Sequence, residues 1–281
     1  MENSTLISII IPCYNDVQYV EQSVVSALSQ TYSQIEVIIV DDGSNDETKM
    51  VLKNLEPKIT KLITQKNYGQ SKARNVGIEA AIGNYILVLD SDDYFEPTFC
   101  EKALAIFRNN LNCKLVSCQA NLISETNKIS LYKPIGGTID NFLFSNAALG
   151  TSMFKKEDWN SCGGYDETMN KGLEDWEFFI RLLKDGGSTE IIQEPLYNYR
   201  KRGNSTTAIA NQKKYELLNY IYLKHKDLYI KNYNLLVGNL LSRAQREEQE
   251  KLKYSKKIEY RLGFLFLKPF RFLKTIFNKK N

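Results

Sequence analysis

Residues 85–93 read Tyr-Ile-Leu-Val-Leu-Asp-Ser-Asp-Asp, an apolar run that ends in three carboxylates within four positions. The apolar run predicts a strand buried inside a sheet. Carboxylates this close together repel one another unless a cation compensates them. Mg²⁺ and Mn²⁺ prefer oxygen ligands and often share phosphate oxygens with a bound substrate. The stretch therefore predicts a metal-binding and phosphate-binding edge of a sheet, and the weaker alternative is a solvated acidic turn.

Two further strands precede this one, and each also ends in polar residues. Residues 6–11 form a β-branched run before Pro12, and residues 36–40 form another before Asp41-Asp42-Gly43-Ser44. Amphipathic helical patterns separate these strands from one another and from a short strand at 61–64. Asp16 is the predicted cap of the first helix, and a later helix is predicted over residues 71–81. Alternation of this kind predicts a parallel sheet covered by helices, with ligands bound beyond the carboxyl ends of its strands. We therefore expect an α/β fold with a Rossmann-like, mostly parallel central sheet flanked by helices.

The pattern changes after residue 113. The later segments are three short strand-like runs at 115–119, 121–124 and 129–133, a strand at 151–154, and an amphipathic helix at 173–184. Residues 211–281 are rich in Lys and Tyr and read as helical. The sequence therefore predicts a body over residues 1–210 and a helical C-terminal extension over residues 211–281.

Composition excludes several kinds of site. The five cysteines are scattered without a Cys-x-x-Cys pair, so neither a zinc knuckle nor a disulfide framework is indicated. The only histidine is His225, which excludes Ser-His-Asp catalysis and histidine-ligated metals. Residues 251–281 carry a net charge of +9, whereas the rest of the chain carries −5. A mildly acidic body predicts no nucleic-acid partner and a separate task for the basic tail.

Several residues are candidates for ligand binding, each with a structural alternative. Tyr14 could stack on a nucleobase and Asn15 could hydrogen-bond to it, or both could belong to a surface turn. Three carboxylates within residues 41–46 favour recognition of a base or ribose, although Ser44 or Asp46 could simply cap the next helix. Arg74, near a helix start, could bind phosphate in fork geometry or be solvated.

The segment Gly172-Leu173-Glu174-Asp175-Trp176 places two carboxylates in the first turn of a helix. The helix dipole favours their ionised form, which suits a general base. A favourable charge at a helix N-terminus is equally a structural explanation.

Five elements, taken in order, resemble family 2 of the glycosyltransferases. They are Ile-Pro-Cys-Tyr-Asn at 11–15, Val-Asp-Asp-Gly-Ser at 40–44, Asn-x-Gly with Ala-Arg-Asn at 67–75, Leu-Asp-Ser-Asp-Asp at 89–93 and Glu-Asp-Trp-Glu at 174–177. Tyr197-x-Tyr199-Arg200 extends the resemblance to about residue 206. The resemblance implies a GT-A fold whose catalytic domain, 1–210, has a nucleotide-binding half (1–113) and an acceptor-binding half (114–210).

The implied activity is inverting transfer of a sugar from a nucleotide diphosphate, most simply a UDP-sugar, to a hydroxyl of a glycan or lipid-linked acceptor in surface polysaccharide synthesis. Absence of the Gln-x-x-Arg-Trp signature of processive synthases favours a single addition. A nucleotidyltransferase or a dehydrogenase would need a glycine-rich loop after the first strand, and none is there. The alternative of another class is a non-catalytic nucleotide-sugar-binding or scaffold protein.

The resemblance also implies residue roles. The nucleotide-sugar would contact Pro12, Tyr14, Asn15, Asp42, Asn67, Arg74 and Asp90. Mn²⁺ or Mg²⁺ would be held by Asp92, with Asp93 beside it. Asp175 would be the general base, with Glu174 and Trp176 on the acceptor side. Arg202 stands where many relatives carry a histidine near the diphosphate, and arginine binds phosphate but is a poor metal ligand.

The tail over residues 258–281 interleaves Phe and Leu with Lys and Arg. This pattern predicts an interfacial helix on an anionic membrane surface, with a helix docked on protein as the alternative. No stretch of about 20 apolar residues is present and the N-terminus lacks the pattern of a signal peptide, so we expect a cytoplasmic protein, peripheral on the inner face of the membrane. A homodimer is compatible with the sequence.

Overall fold

The structure is a computed structural model that describes residues 5–203, 206–258, 260, 262–263 and 266–267. The chain forms two compact units, Met1–Lys226 and Asp227–Asn281. The first unit holds the sheet and all of its flanking helices. It also includes the helices between residues 206 and 224, most of which the sequence assigned to the extension. A functional division at residue 210 stays a prediction.

The described residues contain a mixed sheet and helices on its faces. The strands are β1 (Ile7–Cys13), β2 (Ile35–Asp41), β3 (Lys61–Thr64), β4 (Tyr85–Val88), β5 (Tyr94–Phe95), β6 (Cys113–Ile123), β7 (Ile129–Tyr132), β8 (Met153–Lys155) and β9 (Ser188–Arg200). The helices are α1 (Val20–Leu28), α2 (Asp46–Leu55), α3 (Gln70–Ala80), α4 (Phe99–Asn109), α5 (Ile139–Phe142), α6 (Lys156–Cys162), α7 (Glu174–Leu183), α8 (Thr206–Gln212), α9 (Lys214–Lys224), α10 (Lys226–Lys231) and α11 (Tyr233–Ser255).

The first half of the sheet is parallel and matches the sequence-based prediction. Strands β3, β2, β1 and β4 lie side by side in that order, and each adjacent pair is parallel. Strand β1 continues through Pro12 to Cys13, two residues beyond the predicted end at Ile11. The oxygen of Ile10 accepts from Leu89 N, so the backbone groups of even-numbered residues face β4. Pairing with β4 ends at Ile10, and the missing N–H of Pro12 therefore leaves no gap in the ladder.

The second half makes the sheet mixed rather than mostly parallel. The order continues β4-β8-β6-β9-β5, and β7 pairs with β6 at a branch. Strand β8 is antiparallel to both β4 and β6, whereas β9 is parallel to β6. Strand β6 is one long strand where the sequence predicted two, because its register against β9 shifts around Gln119 without breaking the pairing. The predicted hairpin is β6–β7.

Two helix starts differ from the predicted caps. Helix α1 begins at Val20, where Asp16 contributes only its backbone oxygen to the preceding turn. Helix α2 is capped by Asn45, whose Oδ1 accepts from Thr48 N at 3.0 Å, while Asp46 lies in the first turn. The side chains of Asp16 and Ser44 are thereby left for contacts described below.

A buried ion network joins α7 to α9 in the first unit. Glu177 on α7 is fully buried, and its carboxylate contacts Arg181, Lys224 and His225. Nε2 of His225 lies 3.0 Å from Glu177 Oε1. The only histidine of the chain thus belongs to the scaffold behind α7.

The tail prediction falls mostly outside the described residues. Helix α11 has no buried residue, and Phe266 and Leu267 are exposed. Among the described residues, no helix combines the length and the apolar character that crossing a bilayer requires.

Candidate active site

The carboxylates that follow β4 lie in a tight turn, in which Asp93 N donates to the backbone oxygen of Asp90 at 3.1 Å. The side chains of Asp90 and Asp92 remain 33% and 15% exposed. Asp93 is 1% exposed. Two of the three carboxylates therefore reach the surface, and the third points into the protein.

Asp93 anchors the turn to β9. Its Oδ2 accepts from the Tyr197 hydroxyl at 2.5 Å, and its Oδ1 accepts from Arg200 N at 2.7 Å. Burial and the neighbouring charge of Asp92 raise the pKa of Asp93 well above its usual range. This geometry corrects the expectation that Asp93 assists a metal, because both of its oxygens are already used inside the protein.

Asp92 forms an ion pair with Arg202, whose Nη1 also donates to Asp16 at 2.8 Å. Asp16 in turn accepts from the Ser91 hydroxyl at 2.5 Å. Burial and the charge of Asp90 raise the pKa of Asp92 to about 6, although Arg202 opposes them. Arg202 thus lies beside the carboxylate cluster and compensates its charge.

Arg200 lies over two tyrosine rings at the same edge of the sheet. Its guanidinium is 5.0 Å from the ring centre of Tyr19 and 4.9 Å from that of Tyr94. It also donates to the backbone oxygen of Asp92. Arg200 therefore ties the end of β9 to the carboxylate turn, and Arg202 ties the segment that follows β9 to the same turn.

Arg74 connects this edge of the sheet to helix α7. The side chain is 3% exposed, and it donates to Asp90 Oδ1 at 2.8 Å and to Glu174 Oε1 at 2.6 Å. Gln70 also donates to Glu174 Oε1, at 2.6 Å. In the described part of the chain, Arg74 Nε and Glu174 Oε2 are buried without a hydrogen-bond partner. These two atoms remain able to bind a ligand or water.

Helix α7 starts from an unusual backbone turn. Gly172 and Leu173 both have positive φ, 106° and 63°. A non-glycine residue in this region is strained, and such residues cluster at functional sites. A Cβ at Gly172 would lie 2.6 Å from that of Ala210, so the turn also needs glycine for space. The turn delivers Glu174 and Asp175 to the edge where Asp90 lies.

Asp175 is partly buried. Its Oδ1 accepts from Trp176 N at 2.8 Å, and its Oδ2 accepts from Asn146 Nδ2 at 2.8 Å. Burial and the charge of Glu174 raise the pKa of Asp175 to about 6. A carboxylate with this pKa is a stronger base than an ordinary aspartate and is still ionised at neutral pH.

Trp176 is placed differently from its predicted acceptor-side position. The indole is 4% exposed, and its Nε1 donates to the Phe142 oxygen at 2.6 Å. Trp176 therefore fixes α7 against α5 rather than presenting a surface to a ligand. Burial raises the pKa of Tyr132, on the edge strand β7, and the charge of Asp175 raises it further.

The residues predicted to contact the nucleoside differ in exposure and in their hydrogen bonds to other parts of the protein. Tyr14 is 50% exposed, and Asn15 beside it has a positive φ of 58°. Asn15 is held by Ser44 Oγ, which accepts from its N, and by Asn45 N, which donates to its Oδ1. Both residues are accessible at the carboxyl end of β1. Pro12 is buried within that strand.

Asp42 is 3% exposed and binds the loop before α3. Its oxygens accept from Gln65 Nε2, Tyr68 N and Gly69 N at 2.6, 2.9 and 2.8 Å. The carboxylate is thus buried and engaged by protein, which corrects the expectation that Asp42 contacts the nucleoside. Asn67 lies exposed in the loop that Asp42 holds.

Asp90 and Asp92 fit a divalent cation by the chemistry of their carboxylate oxygens, which remain partly exposed. Among the described residues, no group of three or more His, Cys, Asp or Glu side chains forms a complete cage. Mg²⁺ and Mn²⁺ suit such a partial site, because they take one or two carboxylates and complete their shell with water and phosphate.

Several residues of this site belong to none of the sequence motifs described above. They are Asp16, Tyr132 and Asn146, with Gln70 at the start of α3. Asp16 directly follows Tyr14-Asn15 and could have been included on that ground. Asn146 and Tyr132 lie in a region without local signal, and only the fold brings them to Asp175.

Comparison with known proteins identifies similar sequences and folds. The profile of Glycosyl transferase family 2 matches residues 8–157, and that of the N-terminal domain of galactosyltransferase matches residues 142–203. An uncharacterized glycosyltransferase of Haemophilus influenzae is 30% identical over 230 residues, covering 78% of each chain. The chondroitin synthase of Escherichia coli is 31% identical over 261 residues, which are 89% of this chain and 34% of that protein. The chain thus spans about a third of that synthase.

Solved structures share the fold. The crystal structure of S. aureus TarS 1-349 superposes with a TM-score of 0.62 at 19% identity, covering 78% of this chain and 64% of that one. The complex of the same TarS fragment with UDP-GlcNAc gives a TM-score of 0.61 at 20% identity, covering 72% and 60%. The α/β architecture derived above is therefore that of the GT-A fold.

Proposed function

This chain belongs to glycosyltransferase family 2, and we propose that it transfers one sugar per cycle from a UDP-sugar to a hydroxyl of a glycan or lipid-linked acceptor, with inversion. The observation that carries the proposal is the Arg74 bridge. It joins Asp90, among the carboxylates suited to a nucleotide diphosphate, to Glu174, the neighbour of the base candidate Asp175. Donor-binding and proton-accepting groups thus form one site.

The donor nucleoside would lie at the carboxyl ends of β1 and β2. Tyr14 offers an exposed ring for stacking, and Asn15 offers an amide held at a fixed angle by its neighbours. The solved complex of TarS with UDP-GlcNAc supports a UDP-linked donor, and the match to a chondroitin synthase supports a role in polysaccharide synthesis. The loop before α3, which is hydrogen-bonded to Asp42, would form one wall of this pocket.

The diphosphate would face Asp92 and Arg202. When bound by Asp92 with help from Asp90, Mn²⁺ or Mg²⁺ would neutralise the charge that develops on the leaving diphosphate. Arg202 would exchange its carboxylate partners, Asp92 and Asp16, for phosphate oxygens, which suit its planar fork. Arg202 would then bind the leaving diphosphate next to the carboxylates with which it is paired in this structure.

Asp175 would accept the proton of the acceptor hydroxyl as its oxygen attacks the anomeric carbon. The bond from that carbon to the diphosphate oxygen breaks on the opposite face, so the configuration inverts. The raised pKa of Asp175, about 6, makes the carboxylate a better base while it stays ionised at neutral pH. The acceptor would approach over β7, where Tyr132 lies near Asp175 and is partly exposed.

Membrane association and a homodimer are proposals that rest on sequence alone. The charge of +9 over residues 251–281 supports attraction to an anionic surface. Such a placement would bring the site to a lipid-linked acceptor on the inner face of the membrane.

A panel of nucleotide-sugars, assayed for nucleotide release with Mn²⁺ and acceptor glycans, tests the proposed function. We expect release with at least one UDP-sugar, and proton NMR of the product should show a β-linkage from an α-linked donor. Asp175→Asn is the control, since it keeps the shape of the side chain and removes the base. Binding of UDP-sugar without turnover by the wild type on any acceptor would instead indicate a non-catalytic binding protein.

A further inference from the structure

Asp175 receives a hydrogen bond from a residue that lies outside every motif. Asn146 Nδ2 donates to Asp175 Oδ2 at 2.8 Å, and the other oxygen accepts from Trp176 N. A carboxylate oxygen offers two lone-pair positions. Oδ2 therefore keeps one position for a second donor, such as an acceptor hydroxyl, while the amide holds the first.

The loop that carries Asn146, residues 143–152, is fixed on both sides of that residue. The ties are Trp176 Nε1 to the Phe142 oxygen at 2.6 Å, Gly136 N to the Ala147 oxygen at 2.9 Å, and Leu149 N to Ser117 Oγ at 3.2 Å. Asn146 is also oriented by its own loop, because its Oδ1 accepts from Ala148 N at 3.4 Å. The hydrogen bonds of this loop thus fix the position from which the Asn146 amide donates to Asp175.

The same loop approaches Asp175 with its backbone. A Cβ at Gly150 would lie 2.8 Å from Asp175 Oδ2 and 3.3 Å from its Cγ. No side chain fits between the loop and Asp175 at Gly150, so the loop backbone limits the rotation of Asp175 in addition to the hydrogen bond from Asn146.

We propose that Asn146 is a positioning residue for the general base. It holds the Asp175 carboxylate in one orientation and stabilises its ionised form, so that Oδ2 can accept the proton of the acceptor hydroxyl. The amide itself transfers no proton. This inference rests on the proposed role of Asp175 in sugar transfer.

Charged and titratable groups from several elements face Asp175, and they set its surroundings besides Asn146. They are Glu174 on α7, Arg74 on α3, Asp90 after β4, Tyr132 on β7 and Tyr165 after α6. A donor to the ionised carboxylate lowers its pKa, so loss of that donor raises it. The acid limb of activity should therefore move to higher pH when Asn146 is replaced.

Two variants test the contact. Asn146→Ala removes the donor, and Asn146→Asp keeps the shape while placing a second negative charge beside Asp175. Carbon-13 NMR of the aspartate Cγ, with the Asp175 signal assigned by its loss in Asp175→Asn, gives the pKa directly. We expect a rise of about 0.5–1 pH unit in Asn146→Ala and a larger one in Asn146→Asp. The acid limb of kcat/KM should shift by the same amount, while the Kd for UDP stays unchanged.

Asn141→Ala is the matched control, because Asn141 also donates from this region, to the Gly136 oxygen at 2.7 Å, and does not contact Asp175. It should leave both titrations at the wild-type position. An unchanged Asp175 pKa in both Asn146 variants, or an equal shift in Asn141→Ala, would overturn the inference. The NMR titration needs no turnover, so failure of the wild type to transfer any sugar would count against the proposed function separately.

Discussion

At the scale of residues, the three carboxylates after β4 show how surroundings assign roles to identical side chains. Asp90 pairs with Arg74, Asp92 pairs with Arg202, and Asp93 is buried against β9. Only the first two keep exposed oxygens. The task of each carboxylate is thus decided by partners that join the turn from other parts of the chain.

Replacement of Asp175 should separate catalysis from donor binding. Asp175→Asn should lower kcat by about 10²-fold or more, the usual scale for loss of a general base, and leave the Kd for UDP nearly unchanged. In the wild type, kcat/KM should rise with pH through about 6, because the raised pKa makes the base protonated below that value. Steady-state kinetics from pH 5 to 8 and calorimetry check both. Wild-type turnover in Asp175→Asn would move the base elsewhere, with Glu174 next.

Metal removal gives the second prediction at this scale. Calorimetry with UDP should show binding that requires Mn²⁺, since Asp90 and Asp92 repel an uncompensated diphosphate. Asp92→Ala should abolish this metal-dependent binding of UDP. Asp46→Ala, which removes a carboxylate in the first turn of α2, is the control and should behave as wild type. Equal affinity for UDP with and without EDTA would contradict a metal at this site.

Motif residues could be placed at the site from sequence, because strand ends and helix starts are local features. The different roles of these residues within the site could not be predicted from the sequence. Tyr197 and Arg200, the partners of Asp93, lie more than a hundred positions later in the chain. Asn146 has no local pattern at all. Asp42 was predicted to contact a ligand because nothing near it in the sequence shows that Gln65, Tyr68 and Gly69 donate to its oxygens.

At the scale of elements, the Glu177 network should hold α7 in place. Burial alone would raise the pKa of Glu177, but hydrogen bonds from His225 and Arg181, with Lys224, lower it to about 2. Glu177→Gln should cost about 3 kcal/mol of unfolding free energy at neutral pH, because buried cations lose their partner.

The pH dependence gives a sharper test. The pKa of Glu177 is lower in the folded state than its unfolded value of 4.5, so the ionised carboxylate stabilises the fold above that pH. This contribution to the free energy of unfolding is lost as pH falls toward 2. The difference in Tm between wild type and Glu177→Gln should therefore shrink between pH 5 and 2. Glu157→Gln, at an exposed carboxylate of α6, is the control and should change Tm little at any pH. A difference in Tm that stays constant with pH would show that the charge of Glu177 is not the source of the stabilisation.

Two glycines in helices give opposite expectations for one substitution. A Cβ at Gly77 in α3 would lie 2.4 Å from Ile10 Cγ2, whereas one at Gly238 in α11 meets nothing within 4 Å. Gly77→Ala should destabilise by about 1–3 kcal/mol through overpacking of α3 on β1. Gly238→Ala should not destabilise and should favour the helix by up to about 1 kcal/mol. Denaturant melts check both, and a stable Gly77→Ala would mean that α3 can shift.

Elements with strong periodicity were predictable, and irregular ones were not. Strand β3 was placed at its observed bounds, and α3 and α7 within one residue of theirs. Strand β9 was missed, because a 13-residue strand that contains Pro195 and shifts register against β6 shows no clean alternation. Its hydrogen-bonding partner decides its length, and the sequence does not reveal that partner.

At the scale of the whole molecule, charge separates the body from the tail. Deletion of residues 258–281 should leave hydrolysis of the donor unchanged and abolish binding to vesicles with anionic lipid. Each basic residue near such a surface contributes about 1 kcal/mol, and salt screens this attraction. Vesicle sedimentation at low and high salt checks it. A full-length chain that ignores anionic vesicles at low salt would indicate a protein contact for the tail.

The architecture as a whole was accessible from sequence, since five ordered motifs and the strand–helix alternation agreed on one fold. The mixed half of the sheet was not, because β8 and β9 find their places through pairing with β4 and β6. Long-range pairing leaves little trace in local periodicity.

The Arg74 bridge has a consequence for how the sequence can vary. Loss of Arg74 would leave the buried Glu174 carboxylate without its cation, a cost of several kcal/mol, whereas loss of Asp90 or Glu174 would leave Arg74 with one carboxylate instead of two. The losses of Arg74 and Glu174 together need not add, because the second removes the charge that the first had stranded. Substitutions at Arg74, Asp90 and Glu174 should therefore be strongly epistatic, and the three positions should covary in any lineage that changes one of them.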